Sequence, residues 1–165
     1  MNVMEPISEK IVEKTWREVA GFSLGQATKE MEKMAESQPD LLAFLLASTE
    51  DLEPEVGELA VYIAFVVYRI FEGFRKKIKK ITAREINACY EYNEDLIGRL
   101  EGAHEKFLDR IARIQVSKQP YIIKYVVDAL MEESEEGDDV DLTDEDKGFL
   151  FLLLKTVVDL LDKGK

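Results

Sequence analysis

Two stretches of the chain are near-copies of each other: Gln38-Pro39-Asp40-Leu41-Leu42-Ala43-Phe44-Leu45-Leu46 and Gln119-Pro120-Tyr121-Ile122-Ile123-Lys124-Tyr125-Val126-Val127. Both read Gln-Pro, a variable residue, two aliphatics, a variable residue, an aromatic and two aliphatics. A repeat constrains a whole fold, because a recurring unit buries its apolar face against its neighbour. The likeness continues downstream. Leu52-Glu53-Pro54-Glu55 precedes an apolar run from Leu59 to Phe71, and Leu142-Thr143-Asp144-Glu145 precedes another from Phe149 to Leu161. Upstream of each copy lies a long amphipathic segment, starting near Ser8 and near Thr82. Each of these holds a Gly-x-x-x-Gly pair, Gly21 with Gly25 and Gly98 with Gly102.

With four prolines and nine glycines, long periodic segments stand between the breaks, and these favour helix over strand. The expected fold is all-α: a six-helix bundle of two three-helix repeats related by a pseudo-twofold axis. It occupies one domain, 1–165, with the repeats at about 7–73 and 82–163. The helices are expected at about 8–36, 39–48, 54–79, 83–116, 119–132 and 144–163. Thr82-Ala83-Arg84-Glu85 has the capping-box form, and Thr143 stands before Asp146 in the same pattern. Pro39 and Pro54 fall where a first helical turn tolerates proline. The helices at 54–79 and 144–163 are apolar nearly all round and belong at the centre. The segment 83–116 carries a one-sided seam of Ile86, Tyr90, Asn93, Ile97, Leu100, His104, Phe107, Ile111 and Ile114.

The net charge is −12 and is unevenly spread, since residues 132–146 hold ten acids and no base. So acidic a surface argues against nucleic acid, which needs clustered Lys and Arg. Cys89 is the single cysteine, so no disulfide forms within the chain. Met1–Lys10 shows no signal-peptide pattern. The uncharged run Leu59–Tyr68 is too short to span a bilayer, which takes about 20 residues. A soluble, cytoplasmic protein is the expectation.

Few residues suggest chemistry. His104 is the only histidine, and with Glu101 it makes a Glu-x-x-His pair of the kind found in di-iron bundles, with Glu105 adjacent. Such sites use two histidine-bearing helices, so a core histidine is the simpler reading. Asn93 is expected to be buried on its seam and to fix register. Arg69 and Asp159 occupy matching places in the two apolar helices; the simpler reading is that both helices reach the surface there, and the alternative is that the two charges face each other across a pseudo-twofold crossing. The run Arg75-Lys76-Lys77-Ile78-Lys79-Lys80 reads as a cationic helix end favoured by the helix dipole, or as a contact for an acidic partner. An up-and-down arrangement would bring it beside the acidic loop. Gly98 and Gly102 are candidates for a close helix contact, within the chain or between subunits. Asp139-x-Asp141-x-Thr143 lacks the buried strand of a phosphotransferase site and the glycine of a calcium loop. No Gly-rich phosphate loop, Cys-x-x-Cys pair or nucleophile–histidine set can be assembled.

The function expected from these residues is a non-enzymatic helical interaction module, acting through its long amphipathic helices. It needs no cofactor, and its protein partner is unknown, a homodimer being possible. The alternative is a ligand- or metal-binding bundle using His104 and Glu101.

Overall fold

The computed structural model describes residues 6–74, 77–98, 118–131 and 142–163. These residues hold seven helices and no strand: α1 (Glu9–Ala20), α2 (Leu24–Ser37), α3 (Pro39–Thr49), α4 (Pro54–Phe74), α5 (Ala83–Gly98), α6 (Pro120–Met131) and α7 (Asp144–Lys163).

The expected first helix, 8–36, is two helices. Gly21 caps α1, its N–H donating to the carbonyls of Arg17 and Glu18. Ser23 then caps α2, its hydroxyl accepting from the Gln26 N–H at 3.1 Å. Ser23-Leu24-Gly25-Gln26 is a capping-box sequence, so the break is written locally. Arg69 holds the bend from α4. Its guanidinium bonds Glu18 of α1 at 2.9 Å and Glu30 of α2 at 3.0 Å, and lies 5.3 Å from the centre of the Phe22 ring.

The last expected turn of the third helix is also absent. α4 ends at Phe74, and Lys77–Ile81 runs without regular structure into α5. Lys77, Lys79 and Lys80 therefore do not lie in a helical turn. Arg75 and Lys76 lie outside the described residues.

α4 and α7 pack against each other at the centre. Ala60, Ile63, Ala64, Val67, Ile70 and Phe71 of α4 have no exposed surface, nor have Leu150, Leu153, Leu154, Val157 and Leu161 of α7. One apolar cluster draws residues from all seven helices. α1 packs on α4 and α6, α2 on α3 and α4, and α5 on α7 and α3.

The two Gln-Pro sequences explain part of this arrangement. Gln38 is fully buried. Its side-chain oxygen accepts from the Ile81 N–H at 2.9 Å and its nitrogen donates to the Lys79 carbonyl at 3.0 Å. Gln119, also buried, accepts from the Ile7 N–H at 2.8 Å and donates to Asp162 at 2.9 Å. Each glutamine thus fixes a buried isoleucine one residue ahead of a helix cap, Thr82 before α5 and Ser8 before α1. A buried N–H without an acceptor is costly, so each amide determines where a distant helix begins. Gln38 makes no capping bond to its own helix, because its amide is committed to the distant segment.

The two glycines of the first pair do not share one role. Gly21 ends α1, and a Cβ on Gly25 would meet nothing within 4 Å, so no helix presses against it. The close approach lies at Gly57, where a Cβ would come 3.3 Å from the Thr49 hydroxyl and α3 meets α4. Gly98 is the last described residue of α5, and Gly102 lies outside the described residues.

Candidate functional site

Among the described residues, two places concentrate chemistry. The first is a buried polar cluster between α5 and α7. Asn93 is fully buried, as its position on the seam requires. The Lys155 ammonium, only 2% exposed, donates to Asn93 Oδ1 and to Asp159 Oδ2, each at 2.7 Å. Asn93 Nδ2 in turn donates to Asp159 Oδ2 and Thr156 Oγ1, each at 3.1 Å, and lies 3.7 Å from the Cys89 sulfur. Thr156 donates back to the Leu152 carbonyl at 2.8 Å. A buried ammonium is tolerable where acceptors replace its water, and here a carboxylate and an amide do so.

Arg69 and Asp159 do not face each other. Arg69 is bound by Glu18, Glu30 and Glu72, and Asp159 by Lys155 and Asn93. Each charge found a partner on its own side of the core. Lys155 was the residue missed. It interrupts an apolar helix one turn ahead of Asp159, and that i,i+4 spacing is the signal.

The cluster ties α5 to α7. Burial pushes the Cys89 thiol up to about 11, with the Asp159 carboxylate adding to the effect. A thiol so raised is a poor nucleophile near neutrality. At about pH 8 Cys89 should stay unmodified by thiol reagents until denaturant opens the α5–α7 interface. The unfolded thiol ionises near 9.0 and the folded one near 11. This contribution to stability is therefore fully present below about pH 9 and is lost as pH rises toward 11. Urea midpoints above pH 9 should fall further for the wild type than for Cys89→Ala. Rapid stoichiometric labelling of the folded chain would contradict the assignment.

The second place is a groove of about 700 Å³ between α1, α4 and α6. Leu59, Tyr62 and Ile63 of α4 form its floor. Val12, Trp16 and Ala20 of α1 form one wall, and Tyr121, Tyr125, Ala129 and Met131 of α6 the other. Trp16, Tyr62, Tyr121 and Met131 are 37–41% exposed, so large apolar side chains line the opening. Burial raises the Tyr62 hydroxyl above its usual range, and the ring stays neutral. Carboxylates of Glu9, Glu13 and Asp128 edge the groove with the Lys124 ammonium, which stands 3.8 Å from Glu9. Pockets of this size accept drug-sized molecules or rows of side chains.

Sequence reasoning did not single out the groove. Trp16, the chain's only tryptophan, sits on an amphipathic helix whose apolar face α4 does not fully cover. His104, Glu101 and Glu105 lie outside the described residues, as does the acidic stretch 132–141. Among the described residues no group of three His, Cys, Asp or Glu could hold a metal ion, and no helix is long and apolar enough to cross a membrane. No family model, curated protein or solved structure matches this chain.

Proposed function

We propose that this chain is a non-enzymatic helical interaction module, built on two three-helix units, whose groove between α1, α4 and α6 receives side chains of a protein partner. One comparison within the molecule carries the reading. Trp16 stands eight residues after the cap Ser8, and Tyr90 eight after the cap Thr82. Tyr125 stands six residues after Gln119, and Phe44 six after Gln38. At the second pair of positions Phe44 and Tyr90 meet edge to face, ring centres 5.6 Å apart, and close the seam between α3 and α5. At the first pair Trp16 and Tyr125 line the groove, where Trp16 keeps 37% of its surface exposed.

Aromatic rings fill space well and gain from edge-to-face contact. The rings of the Phe44–Tyr90 pair partly cover each other, whereas the exposed face of Trp16 is one that a partner's side chains could cover. Half-exposed Trp, Tyr and Met are the side chains enriched where proteins bind one another. The duplication is supported by the matched glutamine bonds of Gln38 and Gln119 and by the matched isoleucine–cap pairs ahead of α1 and α5.

Tyr62→Glu and Tyr121→Glu place a charge on the floor and on one wall without entering the core. Wild type and both variants, matched for helical content and melting temperature, would be immobilised and offered the same cell extract. Proteins held by the wild type should be lost by both variants. An identical bound set on all three would remove the groove from the proposal.

A further inference from the structure

The proposed interaction leaves the chemistry of the partner open, and the lining of the groove narrows it. We infer that the occupant is a basic amphipathic helix of about three turns, an inference that rests on the groove being an interaction surface. Length comes first. α1 and α6 are 12 residues each, so the walls run for about 18 Å, or a little over three helical turns. Their N-termini lie at the same end, where Ile7 bonds Gln119 and Glu9 meets Lys124. A long slot between two helices, floored by a third, fits a helix laid lengthwise, with its anchors at i, i+3, i+4 and i+7. Among the described residues no strand edge exists to which an extended peptide could add.

Charge decides the partner's sign. Three carboxylates edge the groove against the Lys124 ammonium and the Arg17 guanidinium; Lys124 stands beside Glu9 and Arg17 bonds Glu13, which leaves the edge one negative charge in excess, at Asp128. A helix with Lys or Arg flanking its apolar stripe would meet Asp128, whereas an acidic helix would meet like charge there. The chain's net charge of −12 steers in the same direction over longer range. A second observation comes from Trp16. The Arg17 guanidinium lies 5.3 Å from the centre of its ring while also bonding Glu13 at 2.6 Å. The ring and the carboxylate hold the chain's own cation there, so an arginine of a partner would use them by displacing Arg17.

The test uses the full chain and the emission of Trp16, which has no competing tryptophan. Three synthetic peptides of about 12 residues, free of Trp, are titrated: a Leu/Phe-striped helix with Lys and Arg, its twin with Glu in their place, and a scramble of the first. The basic helix should bind saturably with a blue shift of Trp16, at least about ten-fold tighter than the Glu twin, the gap narrowing near 0.5 M salt. The scramble should bind weakly and leave the emission unmoved. Asp128→Lys combined with Glu13→Lys should reverse the order of the first two.

Equal binding of the basic helix and its Glu twin, both lost in Tyr62→Glu, would overturn the charge inference and leave the groove standing. Equal binding of the basic helix and its scramble would reduce the effect to net charge and overturn the helical occupant. No binding by either striped peptide, with Trp16 unmoved, would overturn both the occupant and the groove.

Discussion

Lys155→Ala is expected to destabilise the fold by about 3–5 kcal/mol, the scale for removing one member of a buried ion pair. The reason is what the lysine leaves behind. Asn93 Oδ1 loses its donor in a fully buried position, and Asp159 loses its cation. Asp159 is partly exposed and can recover water, so most of the penalty falls on Asn93 and on the space vacated by the lysine stem. Lys155→Met should cost less, because the stem is retained. Lys155→Met with Asn93→Leu should come within about 1.5 kcal/mol of the wild type, since both buried polar groups are then gone. Urea unfolding followed by circular dichroism measures all three. A loss under 1 kcal/mol for Lys155→Ala would mean that the ammonium is not held as the 2.7 Å contacts describe.

That cluster also shows where the sequence was legible and where it was not. The all-helical fold and the bounds of α3 and α7 follow from proline placement, the Thr143 cap and apolar periodicity. The burial of Asn93 follows from its step on the α5 seam. Its partners do not, because helix phase says which face a residue occupies and not which helix covers it. Arg69 makes the same point. Its place in an apolar helix suggested a partner in the opposite apolar helix, yet Glu18 and Glu30 reach it from the α1–α2 bend. That bend is written at Ser23, whose capping-box spacing to Gln26 marks a helix start. The groove was not readable at all. A tryptophan on a helix face looks the same whether a neighbouring helix covers it or stops short of it. Only the packing of α6 beside α1 distinguishes the two.

Gln38→Leu and Gln119→Leu are expected to cost about 2–4 kcal/mol each, and to do so at different ends of the molecule. Leucine fills nearly the same volume, so the loss is one of hydrogen bonds rather than packing. In Gln38→Leu the buried Ile81 N–H loses its acceptor, while the Lys79 carbonyl can turn to water because Lys79 is exposed. In Gln119→Leu the fully buried Ile7 N–H loses its acceptor in the same way. The amide of Ile81 should therefore lose hydrogen-exchange protection in the first variant and that of Ile7 in the second, each leaving the other largely protected. The consequences for binding separate too. Ile7 leads into α1, a wall of the groove, so Gln119→Leu should weaken the basic striped helix and loosen Trp16. Ile81 leads into α5, which lies on the other side of the core, so Gln38→Leu should leave that binding near wild type at equal loss of stability. If both variants weaken binding alike, global stability governs the groove, and the local role of Gln119 in setting α1 is lost.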